Sequence, residues 1–153
     1  MVPAKTRRKP LPKDRLQQAR RQRGDEWETA FVAGLNRQAN VWAVLLPKSW
    51  AGQPFDVIAM ATGRAIAFQC KRIARVNVPY SCFTANEKEH LTRFEEAGGR
   101  ASVAVYRDSD GRGVLIPWHC IRDDVLSGIR GSARLEGYPC VFPAAGEGGF
   151  PCR

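Results

Sequence analysis

Hydrophobic residues first recur at regular spacing in the stretch that begins at Asp25. Trp27, Phe31 and Leu35 recur every four residues, which is close to the period of an α-helix with one apolar face. This spacing predicts an amphipathic helix from Asp25 to about Asn40.

Three segments after this helix have the composition of β-strands. They are Val41–Leu46, Phe55–Ala61 and Ala65–Cys70. Residues 62–64 (Thr-Gly-Arg) supply a turn between the second and the third. The three segments are therefore predicted to form a β-meander.

A second helix is predicted by its cap. In residues 84–87, the Thr84 hydroxyl and the Glu87 carboxylate can satisfy the free amides at a helix start, as in a capping box. The helix should run from about Ala85 to Ala97, because Gly98 and Gly99 tolerate the left-handed backbone that ends helices.

The remaining regular elements are shorter. Arg100–Tyr106 and Gly113–Ile116 are predicted strands, joined by a turn over residues 108–111. His119–Ile129 is predicted to be a last short helix. The resulting element order is helix, three strands, helix, strand, followed by a short strand and a helix.

Charge divides the 153-residue chain unevenly. Of the net charge of +9, residues 1–24 carry +8, from nine Lys and Arg against one acidic residue. Residues 1–23 contain few apolar side chains and are predicted to be a basic flexible arm, in which a helix could begin at Arg15. Residues 24–129 are predicted to form the core domain, and the Gly- and Pro-rich residues 130–153 an irregular segment packed on it.

Composition excludes several classes of protein. The longest apolar run, Val41–Leu46, has six residues, far fewer than the roughly 20 that a membrane-spanning helix needs, and the N-terminus lacks the apolar stretch of a secretory signal. The five cysteines lack paired zinc-site spacing, so free thiols are favoured over a zinc site of His119, Cys120, Cys140 and Cys152. We therefore predict a cytoplasmic protein, associated with the nucleoid or, if phage-encoded, located in the host cytoplasm.

Four polar residues lie where the predicted elements could bring them together. Side chains alternate along a strand, so Gln69 and Lys71 face the same side. Asp56 can lie beside them when its strand pairs across the turn, and Glu28 is next to the apolar face of the first helix. A carboxylate, an amide oxygen and an ammonium would then converge.

Such a cluster suits metal-assisted hydrolysis of a phosphodiester. Mg²⁺ prefers oxygen ligands, which Asp56, the Gln69 amide and the Cys70 carbonyl can supply directly and Glu28 through a water molecule. Lys71 could orient the attacking water or neutralise the scissile phosphate. Taken singly, Asp56 and Lys71 are more often ordinary solvated residues at strand ends.

The pattern of Glu28, residues 54–56 (Pro-Phe-Asp) and residues 69–71 (Gln-Cys-Lys) in the order αβββαβ resembles the PD-(D/E)xK nuclease superfamily. Within it, residues 55–121 are similar to RecU-type Holliday junction resolvases. The resemblance covers roughly residues 24–124. It implies an α/β, restriction-endonuclease-like core in which helices flank a mixed central sheet.

The resemblance also implies roles for the four residues. Asp56, Gln69 and Glu28 match metal positions, and Lys71 matches the catalytic lysine. Gln69 departs from the family, which usually has Glu or Asp there, and a neutral amide is a poorer Mg²⁺ ligand. Only residues 47–55 separate the first strand from Asp56, so the long stalk of many RecU-type enzymes is absent.

The function implied is that of a metal-dependent, structure-selective DNA endonuclease, using Mg²⁺ or Mn²⁺ and acting as a homodimer at four-way junctions in DNA recombination and repair. One alternative is another nuclease of the superfamily that cuts flaps, nicks or duplexes. A second is a non-cleaving nucleic-acid-binding module on a decayed nuclease fold. The candidate DNA-binding residues are basic: Arg7, Arg8, Lys9, Lys13, Arg20, Arg21, Arg23, Lys48, Arg72 and Arg75.

The aromatic residues divide into two groups. Trp27, Phe31, Trp42 and Phe68 are predicted to lie in the core, because they fall within the apolar pattern of helix and strands. Trp50 lies in a polar loop and is predicted to stack on a nucleic-acid base.

Overall fold

The computed structural model describes residues 12–138 and 140–142, and within them the chain forms three α-helices and eight β-strands. The helices are α1 (Pro12–Asn36), α2 (Ala85–Glu96) and α3 (Trp118–Ser127). The strands are β1 (Val41–Leu45), β2 (Val57–Ala61), β3 (Arg64–Ile73), β4 (Val78–Pro79), β5 (Arg100–Arg107), β6 (Arg112–Pro117), β7 (Ser132–Ala133) and β8 (Cys140–Phe142).

Six of the strands form one mixed sheet in the order β1-β2-β3-β5-β6-β8. β3 and β5 pair in parallel, because α2 carries the chain back between them, and the other neighbours are antiparallel. β4 and β7 form a separate antiparallel pair. The predicted fold class, a mixed sheet flanked by helices, is confirmed.

Helices cover both faces of this sheet. On one face, Trp27 and Phe31 of α1 are buried together with Phe68 of β3. The Trp27 indole also donates a hydrogen bond of 3.0 Å to the carbonyl of Ala104 in β5. On the other face, Leu91 of α2 belongs to the core that forms between the sheet and helices α2 and α3. Burial of both faces is what a central strand such as β3 requires.

The first helix begins earlier than its apolar pattern predicts. α1 starts at Pro12, so that residues 12–23, assigned from the sequence to a flexible arm in which a helix could begin at Arg15, continue the helix. Proline suits the first position of a helix, and Lys, Arg and Gln have high helix propensity. The helix ends at Asn36 rather than near Asn40, whose φ of 62° is left-handed. Residues 1–11 of the predicted arm lie outside the described residues.

Trp42 was predicted to lie in the core, and the structure corrects this. Trp27, Phe31 and Phe68 are buried, whereas the Trp42 side chain is 57% exposed. It lies on β1 at the edge of the sheet and is paired in register with Met60, which is also exposed. α1 packs on one face of β1, whereas on the other face α2 packs over the central strands β3 and β5, which leaves Trp42 exposed.

The edge strand β1 is bonded to the end of α1. The side-chain amide of Asn36 accepts a hydrogen bond of 2.8 Å from the Ala43 amide and donates one of 2.8 Å to the Ala43 carbonyl. Both backbone groups of Ala43 are therefore satisfied by one side chain, which fixes the helix to the strand.

The segment predicted to be irregular contains two short strands. β7 pairs with β4, and β8 extends the main sheet beside β6. Leu135 between them is buried in the core, and Tyr138 packs against the same core. Residues 143–153, the rest of the segment, lie outside the described residues.

Membrane spans and zinc sites, both disfavoured by the sequence, are absent from the described residues. No helix in that part of the chain is long and apolar enough to cross a membrane. Cys70, Cys82 and Cys120 are free thiols, and no group of three or more His, Cys, Asp or Glu side chains within the same residues could hold a metal ion. Cys152 lies beyond them.

Candidate active site

Asp56 and Gln69 meet across the hairpin of β2 and β3. Val57 is in register with Phe68, which places the two polar residues opposite each other at the open end of the hairpin. The Gln69 Nε2 group donates a hydrogen bond of 2.5 Å to Asp56 Oδ2, and the Cys70 amide donates one of 2.8 Å to the same oxygen. Asp56 and Gln69 are therefore in direct contact, but through the amide nitrogen and not the amide oxygen.

The Asp56 carboxylate is 6% exposed and surrounded by donors. Its second oxygen accepts a hydrogen bond from the side chain of Gln53, and the backbone carbonyl of Gln53 accepts one of 2.6 Å from Asn86 Nδ2. Burial raises the pKa of Asp56, and the bonds from Cys70 and Gln53 oppose the rise only in part. A buried carboxylate with a raised pKa is typical of functional sites.

Lys71 lies on the same side of β3 as Gln69 and reaches α2. Its ammonium donates hydrogen bonds of 2.9 and 3.0 Å to the two carboxylate oxygens of Glu87 and one of 3.0 Å to the Cys82 carbonyl. It also lies 5.2 Å from the centre of the Phe83 ring. Two anionic or polar acceptors and an aromatic ring therefore hold the lysine in place.

Glu87 is a site residue that sequence reasoning assigned only to a helix cap. The predicted capping box is present: the Glu87 amide donates to the Thr84 hydroxyl at 3.2 Å, and the Thr84 amide donates to Glu87 Oε2 at 2.9 Å. The same carboxylate bonds Lys71. The start of α2 and the position of the lysine are thus linked through one side chain, and the only sequence signal for it was the cap itself.

Glu28 approaches the site from α1, on the opposite face of the sheet. It forms an ion pair with Lys48, 3.2 Å from Nζ to Oε2, and Lys48 also bonds Asp25. Burial raises the pKa of Glu28, as does repulsion from Asp56, while Lys48 lowers it. The carboxylates of Glu28 and Asp56 are close enough for their negative charges to repel each other. Glu28 makes no hydrogen bond with Asp56 or Gln69.

Two buried amide oxygens at this site have no hydrogen-bond partner. They are Gln69 Oε1 and Gln53 Oε1, one on each side of the Asp56 carboxylate. A buried acceptor without a donor is usually satisfied by water or a cation. The amide nitrogens, and not these oxygens, face the carboxylate, so a hard divalent cation shared with Asp56 fits only after the amides rotate. Even then the set is poorer in negative charge than one with a second carboxylate at residue 69.

The predicted DNA-binding residues lie in three places. Lys13, Arg20, Arg21 and Arg23 are exposed on the N-terminal half of α1. Arg75 is exposed just after β3. Lys48 lies in the loop between β1 and β2 and contacts Glu28 of α1. Trp50, in the same loop, is fully exposed. Arg7, Arg8 and Lys9 lie outside the described residues.

Arg72 differs from the other basic residues because internal contacts hold it. Its guanidinium donates to Asp108 Oδ1 at 2.6 Å and to the Arg23 carbonyl at 2.9 Å. It also lies 5.2 Å from the centre of the Tyr106 ring. These contacts join α1 to the central strands, which gives Arg72 a structural role.

Comparison with known proteins identifies the fold. It is a restriction-endonuclease-like resolvase fold. Among solved structures, the chain is similar to Hjc, a Holliday junction resolvase from the archaeal hyperthermophile Archaeoglobus fulgidus, with a TM-score of 0.51 and 21% identity, covering 63% of this chain and 78% of that one. No protein-family model and no curated protein matches the sequence. The likeness extends to a resolvase fold, and the RecU-type assignment remains a prediction.

Proposed function

We propose that the protein is a metal-dependent endonuclease that cuts branched DNA, with four-way junctions as its preferred substrate. One observation carries the proposal: the buried Asp56, held by Gln69 and the Cys70 amide, lies beside the end of β3 that contains Lys71. This arrangement lies in a fold like that of a Holliday junction resolvase. The RecU-like pattern of the sequence supports the same substrate.

The reaction is hydrolysis of a phosphodiester. Water attacks the phosphorus, the bond to the 3′ oxygen breaks, and the products are a 5′-phosphate and a 3′-hydroxyl. Asp56, Gln69 Oε1 and Glu28 are the residues that would hold Mg²⁺ or Mn²⁺, which when bound lowers the pKa of water and offsets charge on the phosphate. The Lys71 ammonium supplies positive charge where the phosphate becomes more negative.

Glu87→Gln should slow cleavage about tenfold without weakening DNA binding. The amide can still complete the capping box, so the helix start is kept. The charge-assisted bond that fixes Lys71 is lost, and the ammonium is then held less firmly at the scissile phosphate. Single-turnover rates at saturating junction, together with anisotropy measurements of binding, test this.

Glu89→Gln is the matched control on the same helix. Glu89 is 61% exposed, and its one ion pair among residues 12–138 and 140–142 is with Arg93 at the surface. Its substitution should leave the rate unchanged. Equal rates for wild type and Glu87→Gln would show that Glu87 serves the helix cap alone.

The proposal is tested by incubating the protein with labelled four-way junctions, flaps and linear duplexes, with Mg²⁺, Mn²⁺ or EDTA. We expect metal-dependent nicks in opposing strands of the junction and little cleavage of the duplex. Preferential cleavage of flaps or duplexes would favour another nuclease of this fold. Paired nicks in two strands also require two active sites, and a homodimer would supply them.

The second candidate function is DNA binding without cleavage. Gln69 favours it, because a neutral amide that donates to Asp56 satisfies the carboxylate without a cation. Tight junction binding with no cleavage in either metal would support this function and overturn the first.

A further inference from the structure

A cavity of about 330 Å³ lies between the N-terminal half of α1 and the chain that follows β3. Four arginines line it, Arg20, Arg23, Arg72 and Arg75, together with a single acidic residue, Asp108. It is distinct from the Asp56 site, since Arg72 faces the opposite side of β3 from Lys71.

The one carboxylate of the cavity is already engaged. Asp108 accepts a hydrogen bond of 2.6 Å from Arg72, and these two charges offset each other. Arg20, Arg23 and Arg75 are exposed and make no side-chain hydrogen bond or ion pair with any described residue. Three uncompensated guanidinium groups around one cavity favour an anionic ligand.

The helix brings two of these arginines to the cavity by its period. Arg20 and Arg23 continue, at spacings of three and four residues, the face of α1 that carries Trp27. Trp27 is buried against the sheet and bonded to the Ala104 carbonyl, which fixes the rotation of the helix. The Arg72 guanidinium adds a second attachment through the Arg23 carbonyl. The cavity is therefore built on ordered backbone.

Phosphate is the anion that best fits these groups. Guanidinium groups bind phosphate oxygens through paired N–H donors, and several arginines can share one phosphate. The positive charge also continues beyond the cavity, along the exposed Lys13 and Arg21 of α1. A repeating polyanion can use such a charged extension, whereas a single small anion cannot.

We infer that Arg20, Arg23 and Arg75 form a subsite that binds a backbone phosphate of DNA away from the scissile bond. This inference rests on the proposed function for its ligand, since the DNA bound there is the substrate of the Asp56 site. The subsite anchors the strand at the end of β3, in which Lys71 lies. It does not contact the reacting phosphate.

The test compares Arg23→Gln/Arg75→Gln with a control that removes the same charge elsewhere. Arg64 and Arg100 are exposed at the first residues of β3 and β5, at the opposite end of these strands. Binding of a fluorescein-labelled four-way junction to the full chain is measured by anisotropy in EDTA over a range of salt concentrations. The cavity variant should bind the junction about tenfold more weakly. The slope of log affinity against log salt concentration should become shallower by about two, whereas Arg64→Gln/Arg100→Gln should change affinity less than about twofold.

Equal losses in both double variants would show that only net charge matters and would overturn the inference. Unchanged binding in the cavity variant would do the same. Inorganic phosphate, titrated by calorimetry, separates the two sources of the anion: saturation of the cavity by phosphate with no loss of DNA binding in the variant would mean a small-anion site and not a DNA subsite.

Cleavage distinguishes failure of this inference from failure of the proposed function. If the wild type cuts junctions and the cavity variant binds them normally, the subsite is wrong and the nuclease stands. If the wild type cuts nothing while the cavity variant alone loses affinity, the subsite stands and the nuclease is wrong.

Discussion

Asp56→Asn is expected to reduce junction cleavage on the order of a thousandfold or more, and to leave DNA binding intact. The substitution removes the buried carboxylate charge and keeps the shape of the side chain. Its new N–H₂ group needs an acceptor, which Gln53 Oε1 can provide when that amide rotates, because this oxygen has no partner. The fold should therefore tolerate the change. Cleavage is measured with the labelled junction in Mg²⁺.

The same variant should be more stable than the wild type near neutral pH. Burial raises the pKa of Asp56 above its ordinary value of 3.8, so the folded protein binds this proton more tightly than the unfolded chain does. The associated stability is present below about pH 3.8 and is lost as the pH rises through the raised pKa. Between pH 4 and pH 8, the unfolding temperature of Asp56→Asn should thus fall less steeply than that of the wild type.

Asp123→Asn is the matched control, because Asp123 is 85% exposed on α3. It should alter neither cleavage nor the pH dependence of unfolding. Wild-type cleavage by Asp56→Asn would remove Asp56 from the chemistry. A loss of stability at neutral pH would show that the carboxylate is favourable in the folded state.

Gln69→Glu should make the stability of the protein depend on a metal ion. In the wild type, the Gln69 amide donates a hydrogen bond of 2.5 Å to Asp56, and Gln69 is only 4% exposed. A second carboxylate there removes a donor and adds a like charge, which should cost on the order of 3 kcal/mol and lower the unfolding temperature by roughly 10 °C in EDTA. Mg²⁺ should restore much of this loss, because a cation bound only by the folded state stabilises it.

Differential scanning fluorimetry in EDTA and in Mg²⁺ measures this effect, and calorimetry measures the Mg²⁺ affinity, which should rise above that of the wild type. Gln22→Glu, at an exposed position of α1, is the matched control and should show no dependence on metal. Equal unfolding temperatures with and without Mg²⁺ for Gln69→Glu would argue that residue 69 is not a metal ligand.

The parts of the site that sequence could predict are the local ones. Asp56 and Gln69 are 13 residues apart within one hairpin, so strand alternation and a short turn suffice to bring them together. The start of α2 was predictable for the same reason, since a capping box involves only residues 84–87.

What sequence missed depends on contacts between distant segments. Glu87 reaches Lys71 only because α2 begins beside the end of β3, and Lys48 reaches Glu28 only through the path of the loop after β1. Trp42 follows the apolar pattern of a buried strand, and only the position of β1 at the sheet edge exposes it. The start of α1 was anticipated only as a helix that could begin at Arg15, because residues 12–23 have no apolar face to reveal their period.

The contact between Asn36 and Ala43 has a consequence for association between molecules. An edge strand with free amides and carbonyls can recruit a strand from another chain, which is a route to aggregation. Here one side chain takes both the amide and the carbonyl of Ala43, at the centre of β1. An incoming strand would find those two groups occupied, so a continuous ladder of hydrogen bonds across this edge could form only if Asn36 were displaced.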